Sequence, residues 1–502
     1  MALAVNNEVV LENIFTINRI CYNVCLGETH LEWFETNEGI FENGDLHHSK
    51  KSVPIEQILC IREECKGSER NCFSGLHSRS YLLSGYHSLS QTVVPCLSAE
   101  IWYMHKKKAD RWRLKRLVIT SPHDTIVSKW LHFGQEILRK HVIKRPKRLL
   151  IFINPISGSK SGVRKFRKCV EPVFRMANIE TVVVRTKHKN HCRDILKNQN
   201  LSLYDGICLV GGDGLYSEAI HGLLPDSSLP ISIIPCGSTN AVACSICGPK
   251  VDAISAALQV VRGCQISLDV SNIYAEDRLI AHHTCMLSVG YFGDLLARAE
   301  PWRRILGKRR YDAAGFRTLL SMRSTRVRIT YKKIPDVVDS VCHENCLRCS
   351  REDDNSSLEE RRIERNVAVF SIFTISCRCP MSTTGGSPYS HLGDGCAVIL
   401  IVNECSRFQF LRFLIALAKD STNALKLPYV ESFRTTDVKV EVLAASMDTP
   451  NWNCDGEVVR ERSLHVKMER KAINVFANGV EKVEKSNKKC CSLCTSRADD
   501  DF

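Results

Sequence analysis

Gly211, Gly212, Asp213 and Gly214 follow a short apolar run, and Glu218 lies in the segment after them. Glycines on both sides of an acid let the backbone approach a ligand while the carboxylate projects from the turn. A carboxylate placed in this way can take the proton of an attacking hydroxyl, as phosphoryl transfer to an alcohol requires. The same residues also make an ordinary tight turn with a helix-capping aspartate. Two further loops have a related make-up. Asn154, Pro155, Ile156, Ser157 and Gly158 precede Ser159, Lys160, Ser161 and Gly162, and Pro235 and Cys236 precede Gly237, Ser238, Thr239 and Asn240. Glycines and hydroxyl residues ahead of a helix offer backbone N–H groups to a phosphate. Near the carboxyl terminus, Asn453, Cys454, Asp455, Gly456 and Glu457 set two carboxylates around a glycine, which suits Mg²⁺ held through water. No G-x-x-x-x-G-K-[ST] or G-x-G-x-x-G string occurs, so Walker-type NTPases, eukaryotic protein kinases and Rossmann dehydrogenases lose most of their support.

The cysteines form a second group. The chain has 25 of them, with Cys342, Cys346 and Cys349 in a C-x3-C-x2-C run and Cys377 and Cys379 in C-x-C. Three thiolates from one loop and one from the other can converge on a tetrahedral Zn²⁺, with His343 as a substitute. Reduced, unliganded thiols are the alternative. At the tail, Cys490, Cys491 and Cys494 beside Lys488 and Lys489 suit palmitoylation. Phe408, Leu411, Leu414, Ile415 and Ala418 recur at helical spacing beside Arg407, Arg412 and Lys419. Such a helix is a calmodulin target, a membrane-lying element or, most commonly, a core-facing helix. Lys106, Lys107, Lys108, Arg111, Arg113, Lys115 and Arg116 straddle a turn that either meets anionic headgroups or is a solvated hairpin.

The elements that must position these residues follow from composition and periodicity. With 69 basic against 55 acidic residues, a net charge of +14 and 44% apolar residues, a disordered tail, a collagen and a small disulfide scaffold are excluded. A length of 502 residues suggests about three domains. No apolar run reaches the ~18 residues of a membrane span, and residues 1–15 lack a signal-peptide pattern, so a cytoplasmic chain with reduced thiols is expected. The positive balance suits an anionic partner: a membrane surface, a nucleotide or a nucleic acid. Residues 1–140 read as β-rich, with alternating stretches at 19–25, 55–62, 80–84 and 100–105. A helix over 125–141 then sets Ile126, Trp130, Phe133, Ile137 and Leu138 on one face. Strands at 149–153, 181–184, 206–210 and 231–234 alternate with helices at 163–176, 191–197 and 215–224, the rhythm of a parallel sheet covered on both faces. Ligands bind beyond the carboxyl ends of such strands, where the glycine loops fall. From residue 267 the pattern is mostly strands, with helices near 316–321 and 408–418 and a polar stretch at 342–366 read as an exposed insertion.

Taken in order, NP-x-x-G, VGGDG-x-x-x-E, P-x-GST-N and DGE resemble the diacylglycerol kinase catalytic superfamily, which includes sphingosine and ceramide kinases. The resemblance covers roughly residues 147–481. The cysteine triplet, the run from His391 through Leu392, Gly393 and Asp394 to Gly395, and Asn451, Trp452 and Asn453 leading into DGE resemble the ceramide kinase branch. The β-rich start with its Trp-bearing helix resembles a pleckstrin-homology domain, which belongs to the same layout. The fold implied is a multi-domain α/β plus β architecture: a PH-like β-barrel over 1–142 that targets membranes, an α/β parallel-sheet nucleotide-binding domain over 146–266, a β-rich lipid-binding domain over 267–485, and a tail over 486–502.

The resemblance also implies an ATP- and Mg²⁺-dependent kinase acting on the primary hydroxyl of ceramide. The alternatives are a sphingosine or diacylglycerol kinase, or a non-catalytic adaptor that binds lipid or calmodulin. It places Asn154, Pro155 and Ile156 beside ATP, with Thr186, Lys187, His188, Lys189, Asn190, Glu218, Gly237, Ser238, Thr239, Asp455, Gly456 and Glu457. Asp213 is implied as catalytic base, within the substrate loop of Gly211, Gly212 and Gly214. Arg304 and Arg310 would pair with phosphates, as cations near a transferred phosphoryl group should. Asp294, after Phe292 and Gly293, would lie near the lipid headgroup. Cys236 and Thr239 depart from the small residue and glycine usual in the wider superfamily, although the Ser238–Thr239 pair agrees with the ceramide branch. The implied partners are ceramide and a membrane surface, with anionic phosphoinositides and Ca²⁺/calmodulin as further candidates and no nucleic acid. The implied location is cytoplasmic, peripheral on intracellular or plasma membranes.

Overall fold

The structure is a computed structural model that describes residues 8–36, 50–64, 98–158, 160–225, 228–334, 340–351, 358–443 and 449–482. Ser159, the strand expected at 80–84 and the tail cysteines Cys490, Cys491 and Cys494 lie outside the described residues.

Seven strands form the amino-terminal sheet: β1 (Val9–Ile17), β2 (Ile20–Gly27), β3 (His30–Glu35), β4 (Lys51–Pro54), β5 (Ile58–Glu63), β6 (Ser98–Lys108) and β7 (Arg111–Thr120). Their order is β4-β3-β2-β1-β7-β6-β5. The helix Asp124–His141 closes this sheet with Val127, Trp130, Gly134, Ile137 and Leu138 buried. Trp130 meets Phe15 edge-on at 5.1 Å, and its indole N–H donates to Asn13 Oδ1 at 2.8 Å. A large buried ring with its polar atom satisfied fixes the helix on the sheet. Phe133, expected on the inner face, is exposed.

The basic hairpin of β6 and β7 is tied to the rest of the chain. The Trp112 N–H donates to Ser255 Oγ at 3.0 Å, and Arg113 pairs with Asp252 at 2.7 Å. The Arg111 Nε–H donates to the Lys250 carbonyl, Lys106 pairs with Glu481, and Arg116 pairs with Glu64 and Glu100. Leu59 and Met104 share a core with Leu149 and Phe166. Four of the seven cations are therefore engaged within the chain, which corrects the picture of a freely solvated hairpin.

A buried parallel layer follows: β8 (Arg148–Ile153), β9 (Glu180–Arg185), β10 (Gly206–Gly211) and β11 (Ile231–Pro235), in the order β11-β10-β8-β9. RLLIFI, GICLVG and ISIIP are continuous apolar runs, as strands covered on both faces require. The remaining strands are β12 (Gln265–Ala275), β13 (Arg278–His283), β14 (Met286–Gly290), β15 (Thr325–Lys332), β16 (Glu360–Phe373), β17 (Ala397–Asn403), β18 (Val430–Thr435), β19 (Asp437–Val442), β20 (Trp452–Cys454), β21 (Glu457–Val459) and β22 (Ser463–Phe476). They are joined to the parallel layer through β22, which pairs in parallel with β11 at Val475 and Ile231 and antiparallel with β12 and β19.

Two expectations change here. Glu360 to Asn366 belong to β16 and pair with β15, and Cys342 is buried, so the polar stretch is only partly an exposed insertion. The helix Arg407–Lys419 turns Phe410 and Phe413 into the core and leaves Phe408, Leu411 and Ile415 exposed. Apart from Leu414, which packs against the core, the stripe expected to face inward thus faces solvent, because the two aromatics between its members pack on Tyr291 and Val402 instead.

Candidate active site

The three glycine loops meet at the carboxyl ends of β8, β10 and β11. Gly158, at φ +55°, lies so close that a side chain there would strike the Cys236 carbonyl. A Cβ on Gly212 would come within 2.8 Å of the Gly237 Cα. Backbone thus touches backbone at two points, which only glycine permits. Asn154 Oδ1 accepts from the Ile156 N–H at 3.1 Å and holds the first loop. In the third loop, Asn240 at φ +56° accepts from the Gly237 N–H at 2.7 Å. The sequence marked Asn240 as the last member of this loop but gave it no role of its own; the structure makes it the residue that closes the turn.

Asp213 opens the helix Asp213–Leu223, and its Oδ1 accepts from the Val242 N–H at 3.1 Å. It thereby faces the first turn of the helix Ala241–Cys247, next to the third loop. Desolvation pushes its carboxyl above the ordinary range; the N–H groups of Val242 and Ala241 pull it back, and the charge of Asp455 pushes it up again. Among the described residues no lysine or arginine pairs with it.

Asp455 is the opposite case. It sits in a turn at φ +46°, and its two oxygens accept from the N–H groups of Thr284 (2.8 Å), Cys285 (3.0 Å) and Met286 (2.8 Å). The sequence pointed to this acid as a metal or ATP group; the structure also makes it the anchor of the segment leading into β14. Gly456 donates its N–H to Asn453 Oδ1 at 2.9 Å, and Glu457 pairs with Lys189 at 2.9 Å.

That pair links the hairpin to residues 186–190, which leave β9. The Thr186 N–H donates to the Ile153 carbonyl at 2.9 Å, the Lys187 N–H to His191 Nδ1 at 3.3 Å, and His188 Nδ1 lies 2.9 Å from the Lys189 carbonyl. Asn190 turns the chain at φ +66° into the helix His191–Asn198. Glu218 accepts from the Cys192 N–H at 3.2 Å, so it holds the start of this helix.

Asp294 accepts from Asn451 Nδ2 at 3.0 Å, at the end of β14 remote from the Asp455 anchor. The structure does not bring it against Asp213. Arg310 is buried, pairs with Glu300 at 3.5 Å and stacks on Tyr311; none of its described contacts reaches the glycine loops. The Arg304 side chain lies outside the described residues.

The cysteine expectation needs correction. Cys342, Cys346 and Cys349 gather with His391, all four ligand atoms lying within 4.8 Å of one another. Neither Cys377, Cys379 nor His343 joins them. Cys377 shares a thiol hydrogen bond with Cys285, and the N–H of Arg378, between Cys377 and Cys379, is held by Ser245 Oγ at 3.0 Å. His391 was missed as a ligand because its own spacing to the triplet carries no local pattern.

Comparison with known proteins agrees with this geometry. Residues 148–273 match the diacylglycerol kinase catalytic domain, which defines the class of the glycine-loop half: a lipid kinase. Residues 11–133 match the ceramide kinase PH domain and residues 284–493 the ceramide kinase C-terminal domain. The chain is 30% identical over 496 residues to ceramide kinase of Mus musculus, covering 86% of this chain and 90% of that protein. It is 28% identical over 495 residues to ceramide kinase of Homo sapiens (86% and 89%) and 25% identical over 543 residues to the human ceramide kinase-like protein (96% and 92%). The chain belongs to the ceramide kinase family.

Proposed function

We propose that the protein transfers the γ-phosphoryl group of ATP to the primary hydroxyl of ceramide, giving ceramide 1-phosphate, with Asp213 as the base. The observation that carries this reading is the setting of Asp213: a carboxylate with a raised proton affinity, held by backbone N–H groups alone, beside three glycine loops drawn together by two backbone-to-backbone contacts. Asn154, Pro155, Ile156, residues 186–190 and Gly237, Ser238 and Thr239 border the nucleotide, and Glu218 keeps the 186–190 turn in place. Asp213 and Asp455 repel each other, and no described cation pairs with either. Two like charges near each other without a cation fit Mg²⁺ held by Asp455 and, through water, by Glu457. Bound there, the ion would neutralise charge developing on the transferred group. Asp213 then orients the lipid hydroxyl and takes its proton as the oxygen–phosphorus bond forms.

Membrane engagement is supported by the helices Arg310–Leu320 and Arg407–Lys419, which leave Phe316 (67% exposed), Leu320, Phe408 (85% exposed), Leu411 and Ile415 uncovered beside Arg317, Arg407 and Arg412. Apolar residues flanked by cations suit an anionic bilayer surface. A calmodulin target would need an aromatic face that can be surrendered, and Phe410 and Phe413 are core residues. Phosphoinositide recognition would fall to Lys107, Lys108 and Lys115, exposed hairpin cations outside the contacts to Glu481, Lys250, Asp252, Glu64 and Glu100.

The test is a substrate panel with purified protein, Mg-ATP and mixed micelles. Ceramide is expected to be phosphorylated well ahead of sphingosine and diacylglycerol. Preference for sphingosine would overturn the substrate and leave the kinase; no transfer to any of the three would overturn both.

A further inference from the structure

We infer that Cys342, Cys346, Cys349 and His391 bind one Zn²⁺ ion in a closed, structural, tetrahedral site. The argument begins with distances. Two Zn–S bonds of about 2.3 Å at the tetrahedral angle put the sulfurs about 3.8 Å apart, and a Zn–S and a Zn–N bond put sulfur and nitrogen about 3.6 Å apart. Cys342 Sγ lies 3.7 Å from Cys349 Sγ, and His391 Nδ1 lies 3.2 Å from Cys346 Sγ and 3.9 Å from Cys349 Sγ. These three edges lie close to those of a zinc tetrahedron, and all four ligand atoms are within 4.8 Å of one another. They are much longer than the ~2.05 Å of a disulfide.

The surroundings support the same conclusion. His391 directs Nδ1 at the sulfurs while Nε2 lies 3.1 Å from the Ser340 carbonyl, the kind of outer contact that sets tautomer and ring orientation in zinc-bound histidines. Asn345, at φ +54°, turns the chain so that Cys342 and Cys346 point to one place. Three thiols and an imidazole are a soft donor set that selects zinc over Mg²⁺ or Ca²⁺. Four protein ligands leave no open position, so the ion holds structure and activates no water. Cys342, Cys346 and Cys349 line a cleft of about 920 Å³ that gives the ion a route in.

The site ties a segment between β15 and β16 to the loop before β17. That loop is itself a hub: Asp394 pairs with buried Arg434 and with Arg348, and the Gly395 N–H donates to Asp269 Oδ2 at 2.7 Å. Zinc therefore fastens the 342–349 segment onto a junction of β12, β17 and β18, apart from the glycine loops.

Elemental analysis of the full-length protein, purified without chelator, should find one zinc per chain, and Co²⁺ exchanged into the site should show the intense visible bands and thiolate charge transfer of tetrahedral cobalt. Cys349→Ser and His391→Ala should lose the metal. His391→Cys, which restores a fourth soft ligand, should keep it, as should Cys377→Ser. If the first pair does not fold, the last two still decide. Absence of zinc from native protein, or its loss on Cys377→Ser with retention in Cys349→Ser, would overturn the site. None of these readings depends on which lipid is phosphorylated.

Discussion

Asp213 and Asp455 look alike in the sequence, each an aspartate beside a glycine in a turn, and the structure brings them near enough that one raises the proton affinity of the other. Their settings differ. Asp455 accepts three backbone N–H groups from Thr284, Cys285 and Met286, so its carboxylate shapes the chain. Asp213 accepts from the N–H groups of Val242 and Ala241 and from its own N–H, at the carboxyl ends of β10 and β11. What separates them is the role of the donors: those of Asp455 lie on the one segment entering β14 that it anchors, whereas Asp213 stands beside the glycine loops with a carboxyl pushed up by desolvation and a like charge, the setting of a group poised for proton transfer.

The strongest challenge to this contrast is Asp213→Asn. Turnover at saturating ATP and ceramide should fall by roughly 10²-fold or more while ATP binding persists. Near-normal turnover would return the GGDG loop to a structural turn. The same variant should not lose stability. A carboxyl raised in the folded state binds protons more tightly there than in the unfolded chain, so its contribution declines as pH rises from the ordinary carboxylate range through the raised value. The asparagine variant should therefore unfold in urea no earlier than the native protein at neutral pH.

Asp455→Asn should behave in the opposite way. Its amide can accept through one oxygen only, and the loss of charge-assisted bonds should cost about 2–3 kcal/mol, read as a lower urea midpoint with unchanged m-value. An unmoved midpoint would erase the distinction between the two acids. The pH profile of turnover is a gentler probe. Activity should fall on acidification with an inflection above the usual carboxylate range, because Asp213 must be deprotonated to act and desolvation holds its proton on. Smallest of all, Lys189→Ala removes an exposed ion pair with Glu457 and should cost less than about 1 kcal/mol of stability, with at most a modest rise in KM for ATP.

The parallel layer was legible because strands buried on both faces must be continuous apolar runs, and the glycine loops were legible because each lies at the end of one. What escaped the sequence depends on partners remote along the chain. Asp455 finds its donors at Thr284 to Met286, and the cysteine triplet finds His391 in place of the nearer Cys377. The arginines of the β6–β7 hairpin find Asp252 and Lys250, where charge alone had left lipid headgroups or water as readings. The helix Arg407–Lys419 shows the same limit: its spacing disclosed an apolar stripe, but which stripe the core would take was decided by Tyr291 and Val402, far off in sequence. Periodicity reports what a segment can present and says nothing about which neighbour arrives.

β22 lies near the carboxyl end of the described chain, yet it runs through the middle of the large sheet, beside β11, β12 and β19. During synthesis the parallel layer emerges from the ribosome long before the strand that covers the open side of β11. Until Ser463 to Phe476 are made, that side is an unpaired, apolar strand edge, the kind that templates aggregation. Nascent chains halted before β22 should therefore occupy chaperones, and native structure across both halves of the sheet should be acquired only near the end of translation.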